Sequence, residues 1–242
     1  MVFFQTNQHR LNLNGFLICL FLLAGNKFSV MVNIKIFVFN SFSVNGFVLY
    51  DETRECVVVD PGCHSDEEKQ ELSDFIAESG LKPVAVINTH FHVDHILGNH
   101  FVCSHYGLKL TGHAGGSMFW RTAREFGSVF NLNIDEIVKP EIFIEDGDLI
   151  KFGTSEFEVR YTPGHADGSI CLVNHAQKFI IAGDVLFYGS IGRTDLPTGD
   201  FDILMDSIKT KLFVLDDEYI VYPGHGPKTS IGFERRNNPF IQ

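Results

Sequence analysis

Short apolar runs of strand length recur along the chain after residue 30. Turn residues such as Asn45-Gly46 separate the first three runs, which is typical of an antiparallel meander. The continuous apolar run from Val84 to Ile87 is expected to be a buried strand. The predicted strands lie at 34–39, 46–50, 56–59, 84–87, 108–111, 141–144, 149–152, 157–162, 170–173, 179–182 and 219–222.

Segments with apolar residues at helical spacing lie between these strands. Ser65 is the predicted N-cap of the first helix, whose apolar stripe contains Leu72, Phe75 and Ile76. The stretch 127–140 has no clear periodicity and is predicted to be a loop over a site. The predicted helices lie at 65–79, 96–106, 114–126, 201–213 and 230–236.

The order of these elements is strands followed by helices, twice over. That order predicts an α/β protein in which two β-sheets pack together with helices outside them, rather than a single βαβ-wound sheet. No repeat, low-complexity tract or linker divides residues 31–242, so they are predicted to form one domain.

Residues 1–30 differ from the rest of the chain and are predicted to be an extension outside the domain. The apolar run from Phe16 to Ala24 is too short to span a bilayer. One interpretation is the apolar region of a signal peptide behind His9 and Arg10. We favour the other, in which translation starts at Met31, because Met31 begins a stretch that is typical of a domain's first strand.

The chain is acidic, with a formal net charge of −11 from 19 basic and 30 acidic residues. Nucleic acids and anionic membranes are bound through basic patches, so neither is an expected partner. A local basic pocket for an anionic small molecule remains compatible with this charge. The expected partner is such a small molecule, and the expected assembly is a monomer or a small homo-oligomer.

The five cysteines are scattered and form no C-x-x-C pair. Their spacing therefore excludes a zinc knuckle and a thioredoxin-type motif. An odd, scattered count is more typical of a reducing cytoplasm than of a disulfide scaffold, so a cytoplasmic location is expected.

The segment 89–95 contains four side chains that can bind a metal, directly after the predicted strand 84–87. His90 and His92 lie two positions apart in extended chain and point the same way, so they can hold one cation together. Asp94 and His95 fall where the chain turns into a helix, so they point elsewhere. This spacing favours two adjacent metals over one.

Three further predicted strands end in a turn that carries a side chain able to bind a metal. His165 follows Pro163-Gly164, Asp184 follows Gly183, and His225 follows Pro223-Gly224. Loops at strand ends on a rigid scaffold are common positions for functional residues. The repetition of one arrangement at four strand ends indicates a shared site.

Five histidines and two aspartates can supply ligands to two divalent cations. His90, His92 and His165 can form one site with nitrogen ligands alone, and Asp94, His95 and His225 can form the other. Asp184 remains, and its two carboxylate oxygens can bridge. Imidazole and carboxylate ligands suit zinc, which we expect, with iron or manganese as alternatives. Two metals about 3.5–4 Å apart would share one hydroxide nucleophile and polarise one substrate oxygen.

These motifs resemble the binuclear hydrolases of the metallo-β-lactamase superfamily in residue type, order and approximate spacing. The resemblance covers about residues 34–242. It rests on His-x-His-x-Asp-His, Pro-Gly-His, Gly-Asp and a late Gly-His. It implies a four-layer αβ/βα sandwich with the site at one edge of the two sheets.

Within the superfamily the chain is most similar to glyoxalase II, the hydroxyacylglutathione hydrolases. The segments 89–95, 163–169, 183–187 and 192–195 support this similarity. The chain ends soon after 224–227, without the C-terminal helical domain of the long form, and resembles the short single-domain form. The resemblance implies hydrolysis of an anionic thioester of the S-acyl glutathione type, while glutathione specificity stays open.

Four further roles are predicted around the metal ligands. Asp94 or Asp184 can orient the nucleophile, which makes both candidates for catalysis. Asp60 ends a strand and can accept a proton from a ligand histidine, with a turn residue as the alternative. Arg193 is similar in position to a basic residue that binds the glutathione carboxylate in the family, with a surface ion pair as the alternative. Tyr188 is a candidate for lining the substrate pocket, although packing is the favoured interpretation.

Three other functions remain open at this point. Persulfide dioxygenation at a mononuclear iron is retained because that branch of the superfamily carries a segment like 192–195. A lactonase or phosphodiesterase on the same scaffold is a further alternative. A non-catalytic binding module is the alternative outside enzyme classes, although a complete ligand set argues against it.

Overall fold

The computed structural model describes residues 31–130, 132, 134 and 136–241. The predictions for residues 1–30, namely the extension, the signal peptide and the start at Met31, concern a segment outside the described residues. Within the described ranges, no helix is long and apolar enough to cross a membrane.

The first sheet has six strands in sequential order. Its first three strands are antiparallel, as the meander pattern predicts, and each later strand runs parallel to its neighbour. These strands are β1 Asn33–Phe39, β2 Val44–Tyr50, β3 Glu55–Val59, β4 Lys82–Ile87, β5 Leu110–Gly112 and β6 Ile142–Phe143.

The second sheet also has six strands, which are β7 Leu149–Phe152, β8 Ser155–Tyr161, β9 Ile170–Asn174, β10 Phe179–Gly183, β13 Ile220–Pro223 and β14 Thr229–Ser230. Their order across the sheet is β14-β13-β10-β9-β8-β7, and β10 and β13 are the parallel pair. A small hairpin of β11 Leu186–Phe187 and β12 Ser190–Ile191 follows β10.

The helices are α1 Asp66–Glu78, α2 Val93–Ile96, α3 Asn99–Tyr106, α4 Ser117–Val129, α5 Phe201–Ser207 and α6 Ile231–Asn237. Ser65 caps α1 as predicted: its side chain accepts a hydrogen bond from the Glu68 backbone, and the Glu68 side chain accepts one from the Ser65 backbone. A short 3-10 turn, Ala114–Gly116, precedes α4, and a π-helical turn, Ile208–Leu212, follows α5.

Three apolar clusters separate four layers. The central cluster lies between the sheets and includes Phe47, Phe157 and Ile181. A second cluster packs α1, α3 and α4 on the first sheet, and a third packs α5 and α6 on the second sheet. The predicted αβ/βα sandwich is therefore confirmed.

The predicted helix 96–106 is wrong in one respect, because the chain breaks between α2 and α3. At the break, the Gly98 amide donates to the Pro61 carbonyl at 2.7 Å. A Cβ on Gly98 would lie 2.5 Å from the same oxygen and 2.3 Å from Cys63 Sγ. The loop after β3 therefore packs against the backbone at this glycine, which a continuous helix would not allow.

The other boundary errors are smaller. Helix α4 extends to Val129, so the predicted loop 127–140 starts later, and its described residues 136–140 have no regular structure. The predicted helix 201–213 is α5 followed by the π-helical turn. The short strands β11, β12 and β14 were not predicted.

One edge of the sandwich collects the C-terminal ends of β3, β4, β8, β10 and β13. At this edge the backbone of Val44, where β2 begins, forms a bridge with His225 of the opposite sheet. The Asn45 side chain also donates to the Pro223 and Gly226 carbonyls, at 2.9 Å each. These contacts fix the two sheets relative to each other where the predicted ligands lie.

Candidate metal centre

The histidine-rich segment changes conformation in the middle, as its spacing predicts. His90 lies in the extended stretch after β4, and His92 is the N-cap residue of α2. Their ring centroids are 4.7 Å apart. Asp94 and His95 lie in the short helix α2 and point to a neighbouring position. One local segment thus supplies ligands to two adjoining places.

All seven predicted ligands converge at the site edge. His165 follows β8, Asp184 follows β10 and His225 follows β13. Among the described residues, three groups have potential ligand atoms within 4.8 Å of one another: His90-His92-His165, His90-His95-Asp184 and Asp94-His95-His225. The first and last groups are the two predicted triads. The middle group joins them, so the two positions are adjacent.

Short distances within each triad suit a shared cation. His92 Nδ1 lies 2.9 Å from His165 Nε2. In the other triad, Asp94 Oδ2 lies 3.1 Å from His225 Nε2. Two ligands of a tetrahedral zinc with bonds of about 2.0 Å lie about 3.3 Å apart. The facing atoms are therefore close to the separation that a shared ion requires.

Asp184 reaches both triads. Its Oδ2 lies 3.6 Å from His165 Nε2 and 3.5 Å from His225 Nε2. Its Oδ1 lies 3.4 Å from His95 Nε2, close enough for attraction but without hydrogen-bond geometry. The carboxylate thus occupies the position that a bridging ligand would need.

Several buried atoms of the cluster have no hydrogen-bond partner. They are the Nε2 atoms of His90, His92 and His95 and Oδ1 of Asp184, four of the six such side-chain atoms in the part of the chain that the structure describes. Leaving a buried polar group unpaired costs about 1–3 kcal/mol. His92 turns its other nitrogen, Nδ1, toward His165, so the remaining three atoms are those whose lone pairs divalent cations at this site would accept.

The opposite ring nitrogens of three histidines are held by oxygen acceptors. Asp60 Oδ2 lies 3.0 Å from His95 Nδ1, the contact expected from the sequence. The Arg193 carbonyl lies 2.8 Å from His165 Nδ1, and the Phe42 carbonyl lies 3.1 Å from His225 Nδ1. Because these oxygens only accept, each Nδ1 is assigned the proton, and Nε2 is left with its lone pair facing the cluster.

The two triads differ in electrostatics. Burial lowers the pKa of all three imidazoles in the His90-His92-His165 set, that of His92 to about 3. In the other set, burial also opposes charge, but the adjacent carboxylates outweigh it and raise the pKa of His95 and His225. Neutral imidazole is the form that binds a metal, so the first set has its lone pairs available at neutral pH.

The structure explains why glycine precedes two of the predicted ligands. Gly164, directly before His165, has φ of 115°, and a Cβ there would lie 2.2 Å from the Leu204 amide nitrogen. A Cβ on Gly224, directly before His225, would lie 2.1 Å from Asp184 Oδ1. Glycine therefore allows both a turn that other residues rarely adopt and a close approach of backbone to the cluster.

A cavity of about 430 Å³ opens on the cluster. Arg193 lines it, but its guanidinium is paired with both carboxylate oxygens of Asp195, each at 2.7 Å. Tyr188 is not among the described residues that line it, and the packing expected as the alternative for this residue is present. Phe187, the last residue of β11, lines the cavity, whereas Tyr188 lies in the turn between β11 and β12 and stacks on Phe233, with ring centroids 4.9 Å apart.

The aromatic wall of the cavity was not recognised from the sequence. On α4 and at its end, Phe119, Ala123, Phe126 and Phe130 face the cavity, and Phe42 joins them from the turn between β1 and β2. Their spacing of four, three and four residues marks one helix face and was the available signal. A helix face that packs on a core has the same spacing, so the spacing does not distinguish a cavity wall from a packed face.

Comparisons with known proteins support the same architecture. The sequence profile of the metallo-beta-lactamase superfamily matches residues 41–225. The hydroxyacylglutathione hydrolase GloC of Haemophilus influenzae is 35% identical over 212 residues, which are 87% of this chain and 98% of that protein.

Two solved structures are also similar. BLEG-1 B3 metallo-beta-lactamase has a TM-score of 0.77 and 32% identity, covering 87% of this chain and all of that chain. TTHA1623, solved in a di-iron-bound form, has a TM-score of 0.77 and 30% identity, covering 85% of this chain and 99% of that chain. The profile, the relative and the fold agree with the geometry of the site, and the chain belongs to the metallo-β-lactamase superfamily.

Proposed function

We propose that the chain is a metal-dependent hydrolase that cleaves the thioester bond of an S-acyl glutathione-type substrate at two divalent metal ions, zinc being the expected metal. The observation that carries this proposal is the convergence of five histidines and two aspartates with four unpartnered buried atoms. The similarity to a hydroxyacylglutathione hydrolase over nearly its whole length supports the choice of bond.

The two triads divide the metal-binding work in this proposal. His90, His92 and His165 hold one ion, while Asp94, His95 and His225 hold the other, with Asp184 between them. When bound, two such ions lower the pKa of water toward about 7 and polarise a carbonyl oxygen. The acceptors on the Nδ1 atoms keep the rings oriented, as such partners commonly do around metal sites.

Asp94 is the proposed group for orienting the attacking water. It lines the cavity, and its Oδ2 lies 3.1 Å from His225 Nε2. Asp184, which also lines the cavity, can accept a hydrogen bond from the same water. The departing thiolate needs no strong general acid, because the pKa of a thiol is about 8.5.

The test combines metal analysis and a thioester panel on one preparation of the full chain. Two metals per chain and cleavage of S-acyl glutathione thioesters are the expected results. A protein with two metals that cleaves no thioester, while hydrolysing lactones or phosphodiesters, would overturn the proposal. One iron per chain with oxygen consumption on glutathione persulfide would instead favour dioxygenation, and a purified protein without metal would favour a binding module.

A further inference from the structure

The wall of the cavity beside the candidate metal centre is mostly aromatic. Phe119, Ala123, Phe126 and Phe130 present one face of α4 and its C-terminal end to it. Phe119 and Ala123 are buried, Phe126 is half-buried and Phe130 is exposed. The wall therefore extends from the interior to the cavity mouth.

This wall begins at the metal-ligand side chains themselves. Phe119 makes an edge-to-face contact with His92, with ring centroids 4.9 Å apart. Farther out, Phe130 contacts Phe42 edge-to-face at 5.3 Å. Phe42 also accepts the hydrogen bond of His225 through its carbonyl, so the aromatic wall and the ligands are parts of one assembly. A group that extends from the centre to the cavity mouth on this side passes along these rings.

The cavity offers little to a charged or strongly polar group at this wall. Among its described lining residues, Arg193 is the only lysine or arginine, and its guanidinium is already paired with Asp195. Placing a polar group against an apolar wall without a hydrogen-bond partner is unfavourable, whereas an apolar group there is stabilised by burial.

We infer that the acyl half of the substrate is an apolar chain or aryl group, larger than a two- or three-carbon hydroxyacyl group, and that the α4 face determines this specificity. The inference rests on the proposed thioester hydrolysis. In that reaction the acyl C–S bond breaks, a C–O bond to water forms, and the thiol leaves with a proton. A volume of about 430 Å³ lies within the range of about 300–1,000 Å³ typical of small-molecule pockets.

The first test varies the acyl group on a single thiol. Acetyl, butanoyl, hexanoyl and phenylacetyl glutathione thioesters are compared with the D-lactoyl thioester on the metal-loaded full chain. Because a buried methylene contributes about 0.8 kcal/mol, kcat/KM is expected to rise about fourfold per methylene up to hexanoyl. A flat series, or a preference for the lactoyl or acetyl thioester, would overturn the inference while leaving thioester hydrolysis intact.

The second test changes the wall. Phe126→Ala and Phe130→Ala are each expected to lower the hexanoyl-to-acetyl ratio of kcat/KM by about tenfold, since each removes a large part of the apolar surface. Val129→Ala is the matched control, because Val129 lies on the same helix and is 73% exposed to solvent. An unchanged ratio in both wall variants, with metal content and circular dichroism as in the wild type, would contradict the role of the α4 face.

A binding measurement separates the two proposals. Calorimetry on the metal-loaded protein compares the affinities of acetate, butanoate, hexanoate and phenylacetate, which are the acid products of the series. Affinity that rises with apolar size supports the apolar site even if no thioester is cleaved, in which case only the proposed reaction fails. Equal affinities in the wild type and in Phe126→Ala would overturn the apolar site whatever the reaction is.

Discussion

The two ends of the β-sandwich bury carboxylates in opposite ways. At the end away from the site, Asp51 is 2% exposed and accepts hydrogen bonds from Thr53, Thr154 and Ser155. At the site edge, Asp184 is 9% exposed, and its Oδ1 has no hydrogen-bond partner. Asp51 links the two sheets through satisfied contacts, whereas Asp184 lies against the imidazoles of three ligand histidines.

These two carboxylates differ less in burial than in whether donors satisfy their hydrogen-bonding capacity. Their pKa values do not separate them: burial opposes ionisation in both, and hydrogen bonds at Asp51 or histidines at Asp184 outweigh it and lower the pKa. Glu234 is fully buried and belongs with Asp51, since Gly189, Thr229 and Asn238 all donate to it. A buried carboxylate surrounded by metal-competent imidazoles, in place of backbone and hydroxyl donors, therefore indicates a ligand site.

The largest expected effect comes from neutralising the site-edge carboxylate. Asp184→Asn is expected to lower kcat/KM for the best thioester on the order of 1,000-fold, because metal-ion catalysis contributes several kcal/mol. It is also expected to reduce bound metal from two ions to one, since an amide is a weaker ligand than a carboxylate. Metal analysis and steady-state kinetics on one preparation measure both, with circular dichroism reporting the fold.

Asp51→Asn is the matched control, as it neutralises a buried carboxylate at the opposite end. This variant should keep two metals and wild-type kinetics. Wild-type turnover in Asp184→Asn, or a comparable loss of turnover in Asp51→Asn, would break the distinction between the two ends.

The next effect concerns stability, and it is expected at Asp51, at the end away from the site. Asp51→Asn is expected to lower the free energy of unfolding by about 3 kcal/mol, because buried donors on two loops lose a charged acceptor. Urea unfolding of the metal-free protein measures this cost. Glu71→Ala, at an exposed position of α1, is expected to stay within about 0.5 kcal/mol of wild type. A cost that small for Asp51→Asn would mean that the contacts between the sheets contribute little.

Features encoded by local spacing were predictable from the sequence. The alternation of His90 and His92, the turn into α2 and the glycine-led strand ends all depend on neighbouring residues. The two triads join distant positions, and they were predicted from the number of ligands that two cations need. The cap at Ser65 and the sandwich order are local in the same sense. The break at Gly98 was not predictable, because its cause is packing against Pro61, far along the chain.

Contacts between distant segments escaped prediction where no metal-ligand motif marked the two positions. Asp51 and Thr154 lie about 100 positions apart, and neither sequence neighbourhood suggests the other. The α4 wall has the spacing of any amphipathic helix, and only the position of the cavity shows which side it lines. Tyr188 and Phe187 are adjacent, and the hairpin decides which of them faces the site. The surface ion pair left open for Arg193 is present, while its role toward substrate stays a prediction.

A smaller effect is expected at the contact that orients a ligand ring. Asp60→Asn should weaken the binding of one metal by about 10–100-fold, the usual range for partners of metal-bound histidines. His95 Nδ1 would lose its carboxylate, and the Thr89 donors would lose part of theirs. Chelator competition measures both metal affinities, and urea unfolding of the metal-free protein separates this effect from loss of stability. Two wild-type affinities would contradict the positioning role of Asp60.

The smallest effect is a pH dependence confined to the end away from the site. Hydrogen bonds from Thr53, Thr154 and Ser155 outweigh the effect of burial and lower the pKa of Asp51 to about 2, against about 3.9 in an unfolded chain. A depressed pKa gives stability that is fully present above the unfolded value and is lost as pH falls through the folded value. The difference in unfolding free energy between wild type and Asp51→Asn, both metal-free, should therefore shrink by about 1 kcal/mol between about pH 5 and pH 3. A difference that stays constant over this range would show that the Asp51 carboxylate is not held in its ionised form by the loops that bind it.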